Sequence, residues 1–308
     1  MNVLVGYTGF VGSNIYAVGK IDKGFNSKNI EEAYGLEPDL LIYAGLRAEK
    51  YLANSEPEKD LEFIYQAQEN IRRIAPKKLV LISTIDVFKN PNGMDENAEV
   101  DCNGLQAYGL NRYRLECWVR DNYKDALIIR LPGLFGINIK KNFIYDFINV
   151  IPFMLKQEMY NELIKRDAEL TCYYELQDNG FYRCREMSKD EKQILRNKFE
   201  QLGFTSLNFT DSRSRYQFYP LERLWDDIQI ALENNIRVWH PATEPVSAAE
   251  VYEYLTGEVF CNELGEMPMN YDYHTIYADA FHGNGMYIMN RAEILKAISG
   301  FVTDMKKS

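Results

Sequence analysis

The first twelve residues constrain this chain more than any other stretch. Val3-Leu4-Val5 reads as a short apolar strand, and an apolar helix is expected over residues 11–18. Between them lies Gly6-Tyr7-Thr8-Gly9-Phe10-Val11-Gly12, three glycines spaced by three. A strand that turns at once into a helix needs each glycine for a different reason. Gly6 permits the tight turn, Gly9 lets backbone N–H groups approach a pyrophosphate, and Gly12 lets helix and strand pack closely. The helix N-terminus then stabilises the anion without Lys or Arg. A purely structural glycine turn is the competing reading, and the loop's position between strand and helix weighs against it.

The rest of the first half repeats the strand-then-helix pattern. Pro38 introduces a buried strand at Asp39–Tyr43, and helical spacing runs from Glu58 to Ile74. Pro76 introduces the strand Lys78–Ile82, residues 105–121 read as a helix, and Ala126–Arg130 as another strand. Continuous apolar strands alternating with helices predict an α/β fold, a doubly wound parallel sheet of Rossmann type covered on both faces. The second half differs. It predicts one amphipathic helix over 142–165, a polar stretch from 166 to 215 holding a helix at 188–202 that stops at Gly203, and helices near 220–235, 246–256 and 291–303. Ser247 and Asn290 are the expected N-caps of the last two. The expected division is a dinucleotide-binding domain over 1–145 and a smaller substrate lobe over 146–308, with segments returning to the first domain.

Charge narrows the possible partners. The 308 residues hold 35 Lys+Arg and 45 Asp+Glu, a net charge of −10. Nucleic-acid binding needs clustered cations in excess, so nucleic acid is not expected. The deficit is local. Residues 240–290 contain no Lys or Arg and eight acids, whereas 112–141 hold seven bases against three acids. No apolar run reaches the ~18–20 residues of a membrane span, and the N-terminus shows no signal-peptide pattern, so no membrane partner and a cytoplasmic location are expected. Five scattered cysteines predict reduced thiols, and three widely spaced histidines predict no metal cluster.

Further candidates follow from strand ends. The usual acid that grips an adenosine ribose is missing from Gly24–Asn29; Ser27 and Lys28 stand there and lean the choice between NAD and NADP toward NADP. Ala44-Gly45 is small enough to let a nucleotide cross the strand ends, or is a plain turn. Arg47 could meet a phosphate or pair with Glu49. Arg213 and Arg215 are candidates for a substrate diphosphate, with surface charge as the equal alternative.

Four segments in order then resemble the extended short-chain dehydrogenase/reductase superfamily, the NAD-dependent epimerase/dehydratase group. They are the glycine loop, Leu81-Ile82-Ser83-Thr84-Ile85-Asp86-Val87-Phe88, Ala107-Tyr108-Gly109-Leu110-Asn111-Arg112, and Ile129-Arg130-Leu131-Pro132-Gly133-Leu134-Phe135-Gly136. Ser55-Glu56-Pro57-Glu58 and the S-T-x-x-V-F form are similar to dTDP-4-dehydrorhamnose reductases. The motifs cover residues 1–136; beyond them Gln217-Phe218-Tyr219-Pro220 resembles the segment before a late sheet-covering helix. The resemblance implies an NAD(P)-dependent enzyme on a nucleotide sugar, most simply a keto-sugar reductase. It implies Tyr108 as acid/base, Thr84 as the hydroxyl that orients the substrate oxygen, and Pro132-Gly133-Leu134 beside the nicotinamide.

Residue 112, which would aid Tyr108 and hold the nicotinamide ribose, is Arg where the family has Lys. Arg keeps the charge but not the shape, and a cation one helical turn from the phenol is expected to favour phenolate. Ile64 stands where relatives carry Asn. These departures leave two readings, a working enzyme or a dinucleotide-binding scaffold with weak or lost chemistry. The resemblance also implies a homodimer through helices 58–74 and 105–121.

Overall fold

The computed structural model describes residues 1–307 and divides into two compact units. The first comprises Met1–Ile139, Arg215–Val246 and Asn270–Ile298; the second comprises Lys140–Ser214, Ser247–Met269 and the chain from Ser299.

The first unit opens with β1 (Asn2–Val5), α1 (Phe10–Val18), β2 (Lys23–Phe25) and β3 (Leu40–Tyr43). It continues with α2 (Lys50–Ser55), α3 (Pro57–Ile74), β4 (Leu79–Thr84), α4 (Ala107–Asn122), β5 (Leu127–Leu131) and β6 (Gly133–Phe135). In the second unit follow α5 (Phe143–Asn149), β7 (Met154–Lys156), α6 (Gln157–Arg166), β8 (Tyr174–Leu176), β9 (Phe181–Cys184) and α7 (Lys189–Leu202). The chain then contributes β10 (Arg215–Tyr216), β11 (Phe218–Pro220), α8 (Leu224–Glu233) and β12 (Val238–Trp239) to the first unit. The helices α9 (Ala248–Thr256) and α10 (Arg291–Lys307) complete the order.

Six strands form one parallel sheet in the order β12-β5-β4-β3-β1-β2. β3 is apolar and buried throughout, and β1, β4 and β5 are mostly so, as in strands covered on both faces. Val3, Val5, Leu41, Tyr43, Leu79, Leu81 and Ile128 pack with Ile64 and Ile71 of α3 and Leu115 and Val119 of α4. The chain leaves β1 toward β2 and returns on the other side of β1 as β3. The winding reverses between β1 and β3, the point where open α/β sheets leave a crevice at their carboxyl ends. Val5, Tyr43 and Leu81 lie abreast, so the turns after β1 and β3 share that end.

The second unit carries a three-stranded antiparallel sheet, β7-β9-β8, around Leu155, Tyr160, Leu163, Tyr174, Leu195 and Phe199. The single helix expected over 142–165 is two helices with β7 between them. Pro152 explains the break, since it lacks an N–H and disfavours helical backbone at the residue before it. Val150 ends α5 at φ +59. The helix expected at 188–202 forms with a Ser188/Glu191 capping box and a left-handed Gly203. Ser247 caps α9 in the same way with Glu250. Among the described residues no helix is long and apolar enough to cross a membrane.

Candidate active site

The glycine loop builds a cradle that side chains would fill. Gly6 sits at φ +91, and a Cβ there would lie 2.4 Å from the Ala44 carbonyl oxygen. A Cβ on Gly12 would lie 2.1 Å from the Gly6 carbonyl oxygen. β1, β3 and α1 therefore approach more closely than any other residue allows. Gly9 is the N-cap of α1, with no side-chain cap and no acid in the first turn. The first N–H groups of a helix have no partner within it, so this end carries partial positive charge. Thr8 and Gly9 are exposed, and Tyr7, Phe10 and Val11 are half-buried. The cradle fits a dinucleotide pyrophosphate.

The other cofactor candidates flank this point. Ala44 and Gly45 follow β3 directly, and Ala44 N donates to the Val5 carbonyl. Ser27 and Lys28 are exposed just beyond β2, with no carboxylate between them and the strand. Pro132 links β5 to β6, and Gly133 and Leu134 open β6, where Gly133 lies opposite Phe218 of β11.

Tyr108 stands at the start of α4, and its position has a local cause. A Cβ on Gly109 would lie 2.0 Å from the Asp86 carbonyl oxygen, so α4 presses against the turn after β4. Asn54 of α2 caps the helix by accepting from Tyr108 N at 2.9 Å. These contacts set Tyr108 near the Thr84 hydroxyl, which acts to lower the pKa of the phenol. Thr84 Oγ1 also accepts from Asp86 N at 3.2 Å. Burial pushes the phenol above its ordinary value; Arg112 opposes that rise, Asp86 adds to it, and the Thr84 hydroxyl and Lys50 oppose it. The expected preference for phenolate is thus outweighed by desolvation.

Arg112 lies on the same helix face as Tyr108, but its guanidinium is engaged elsewhere. One nitrogen donates to Asp60 Oδ2 at 2.5 Å and the other to the Arg47 carbonyl at 2.7 Å. The group stacks 4.0 Å from the centre of the Tyr108 ring. Arg112 and Asp60 are 4% and 6% exposed, a buried ion pair that ties α4 to α3. Asp60 also accepts from Asn111 Nδ2 at 2.9 Å. Asp60 escapes a sequence reading because it sits at the first turn of a helix, where an acid is ordinary.

A second buried network holds the same helix to the sheet. Glu116 accepts from Ser83 Oγ at 2.6 Å, from Arg130 at 2.8 Å and from Arg120 at 2.8 Å. Arg130 also meets His240 Nε2 at 3.3 Å, and burial pushes His240 down to about 3. Glu116 therefore joins α4 to the residue beside Thr84. Ile64 is fully enclosed in the sheet–helix core. Arg213 is paired with Asp211 at 2.7 Å and Glu263 at 3.0 Å, which favours the surface-charge reading of that residue. Arg215 is exposed on β10.

No protein-family model matches the chain, and no curated protein matches it in sequence. Solved structures do match over nearly the whole length. A dTDP-4-dehydrorhamnose reductase from Yersinia enterocolitica is 12% identical, with TM-score 0.63 and 99% of both chains covered. One from Bacillus anthracis, in complex with NADP, is 15% identical, with TM-score 0.62 and 98% and 97% covered. A UDP-N-acetylglucosamine 4-epimerase from Methanobrevibacter ruminantium, in complex with UDP-N-acetylmuramic acid, is 13% identical, with TM-score 0.64 and 100% and 98% covered. The chain has the α/β fold of nucleotide-sugar reductases and epimerases. Within that fold it is similar to dTDP-4-dehydrorhamnose reductases and UDP-sugar 4-epimerases alike.

Proposed function

We propose that this chain is an NAD(P)-dependent enzyme that reduces a keto group on a nucleotide sugar. One observation carries the reading: Tyr108 and Arg112 share one face of α4, the guanidinium 4.0 Å from the ring, with the Thr84 hydroxyl at the end of β4 acting on the phenol, in the sheet that ends at the glycine cradle. Gly6–Gly12 would hold the pyrophosphate through backbone N–H groups. Ala44, Gly45 and Pro132–Leu134 would border the rest of the cofactor, and Ser27 and Lys28 would meet a ribose 2′-phosphate, which favours NADP. When bound, the nicotinamide supplies a hydride. Thr84 holds the substrate's carbonyl oxygen, and Tyr108 gives that oxygen its proton. Burial favours the neutral phenol, the form a proton donor to a ketone must have. Asp86 offers one carboxylate where a dehydratase of this type would place two, which favours reduction over water elimination.

A second reading rests on the Arg112–Asp60 pair. With its guanidinium committed to Asp60 and the Arg47 carbonyl, Arg112 has little reach left for a ribose. A protein that binds the dinucleotide without turnover is then the alternative. Incubation with NADH and NADPH against a panel of 4-keto nucleotide sugars separates the two. Cofactor oxidation that depends on the sugar supports the enzyme. Cofactor binding without oxidation supports the scaffold, and no binding of either cofactor removes both.

A further inference from the structure

One cavity is lined by neither the glycine cradle nor Thr84 and Tyr108. It lies between the turn after β3, α2 and the first half of α3, and its volume is about 260 Å³. That is below the ~300–1,000 Å³ of pockets for drug-sized ligands, so it fits one ring or branched chain with its head group. Part of the wall is apolar: Leu52 is 48% and Phe63 39% exposed, and Ala53, next to Leu52, is buried.

Five charged side chains line the same cavity, and three already have a partner. Glu56 pairs with Lys59 across the first turn of α3, and Asp60 pairs with buried Arg112. Arg47 and Glu49 remain. Among the described residues neither of their side chains makes an ion pair or a hydrogen bond, with the other or with a third group. Arg47 is nevertheless held in place. Its carbonyl accepts from Arg112 at 2.7 Å, which fixes the main chain there, and its guanidinium lies over the Phe63 ring, 4.8 Å from the centre. Stacking on a ring face leaves the in-plane N–H groups of a guanidinium open to a carboxylate.

We propose that this cavity binds a free apolar α-amino acid. An anion alone would meet Glu49, and a cation alone would meet Arg47. A small zwitterion satisfies both, with its carboxylate on Arg47 and its ammonium on Glu49. Its side chain covers Phe63 and Leu52, apolar surface otherwise left to water. The Glu56–Lys59 and Asp60–Arg112 pairs add no net charge to upset that balance.

The test is the affinity of the full chain for three probes, measured by titration calorimetry. They are L-phenylalanine, 3-phenylpropionate, which lacks the ammonium, and 2-phenylethylamine, which lacks the carboxylate. L-phenylalanine is expected to bind at least about tenfold more tightly than either, the loss that goes with one missing charged hydrogen bond. Arg47→Met should erase its advantage over 2-phenylethylamine, and Glu49→Gln its advantage over 3-phenylpropionate. Phe63→Ala should weaken all three probes. Arg47 and Glu49 are exposed, so both charge variants should keep the parent's melting temperature. No saturable binding of L-phenylalanine below about 10 mM, equal affinity for the three probes, or a preference untouched by both charge variants overturns the proposal. The measurement needs neither cofactor nor turnover, so this site can fail while the proposed reduction stands, and the reverse.

Discussion

Tyr108 and Arg112 show how one residue's environment can reverse an expectation drawn from its neighbour. A cation four residues away on a helix should lower a phenol's pKa, and Arg112 does oppose the rise, yet burial outweighs it. If Tyr108 gives the proton, Tyr108→Phe should cut turnover by roughly 10²–10⁴-fold while leaving the cofactor-induced rise in melting temperature intact. Steady-state rates and thermal shift on the same preparations check both halves. Arg112→Met should have a different signature. It strands Asp60 in the core without its partner and should cost about 3–5 kcal/mol of stability, read by urea unfolding. Stability within about 1 kcal/mol of the parent would show that the pair is not a staple. Arg112 and Tyr108 are plain in the sequence at i and i+4. Asp60 is 52 residues from Arg112, and only the packing of α3 on α4 brings them together.

At the scale of elements, close approaches and caps account for what forms and where it stops. Gly12→Ala should push α1 off β1, because its new methyl would overlap the Gly6 carbonyl. The expected result is loss of NADPH-dependent thermal stabilisation, larger than the loss of stability without cofactor. The strands β1, β3, β4 and β5 were legible because each is a run of buried apolar residues. β2 and β12 were not, since three and two residues leave too little pattern to read. β8 and β9 were hidden in a polar stretch whose apolar residues pack only once the hairpin has formed, and β7 fell inside the segment expected to be one helix. Within α5, burial pushes the Asp146 carboxyl up from 3.8 to about 7. The folded chain then binds a proton that the unfolded chain has released. Stability should fall as pH rises from about 4 to about 7 for this group alone. Asp146→Asn should flatten that slope, measured as unfolding free energy at pH 5 and pH 8.

At the scale of the whole molecule, binding and charge are the observables. A dinucleotide that binds only the folded chain should stabilise it by about 2.7 kcal/mol at a hundred times its Kd. NADPH is expected to give the larger melting shift than NADH at equal concentration, because Ser27 and Lys28 follow β2 in place of a carboxylate. A larger shift with NADH would reverse that preference. The net charge of −10 does not bear on this site, since the cradle would act through backbone dipoles at the N-terminus of α1.

The sequence by itself determined the order of elements in the first half, the glycine cradle and the pairing of Tyr108 with position 112. Each is a local matter: apolar period, turn chemistry and helical spacing are written within a few residues of one another. Only the tertiary structure decided what Arg112 and Asp86 do, where the polar half folds and which residues surround the Tyr108 phenol. Those outcomes depend on burial and on partners supplied by distant segments. An ion pair 52 residues apart, or a lysine from α2 beside a turn after β4, exists only once the sheet has brought the helices together.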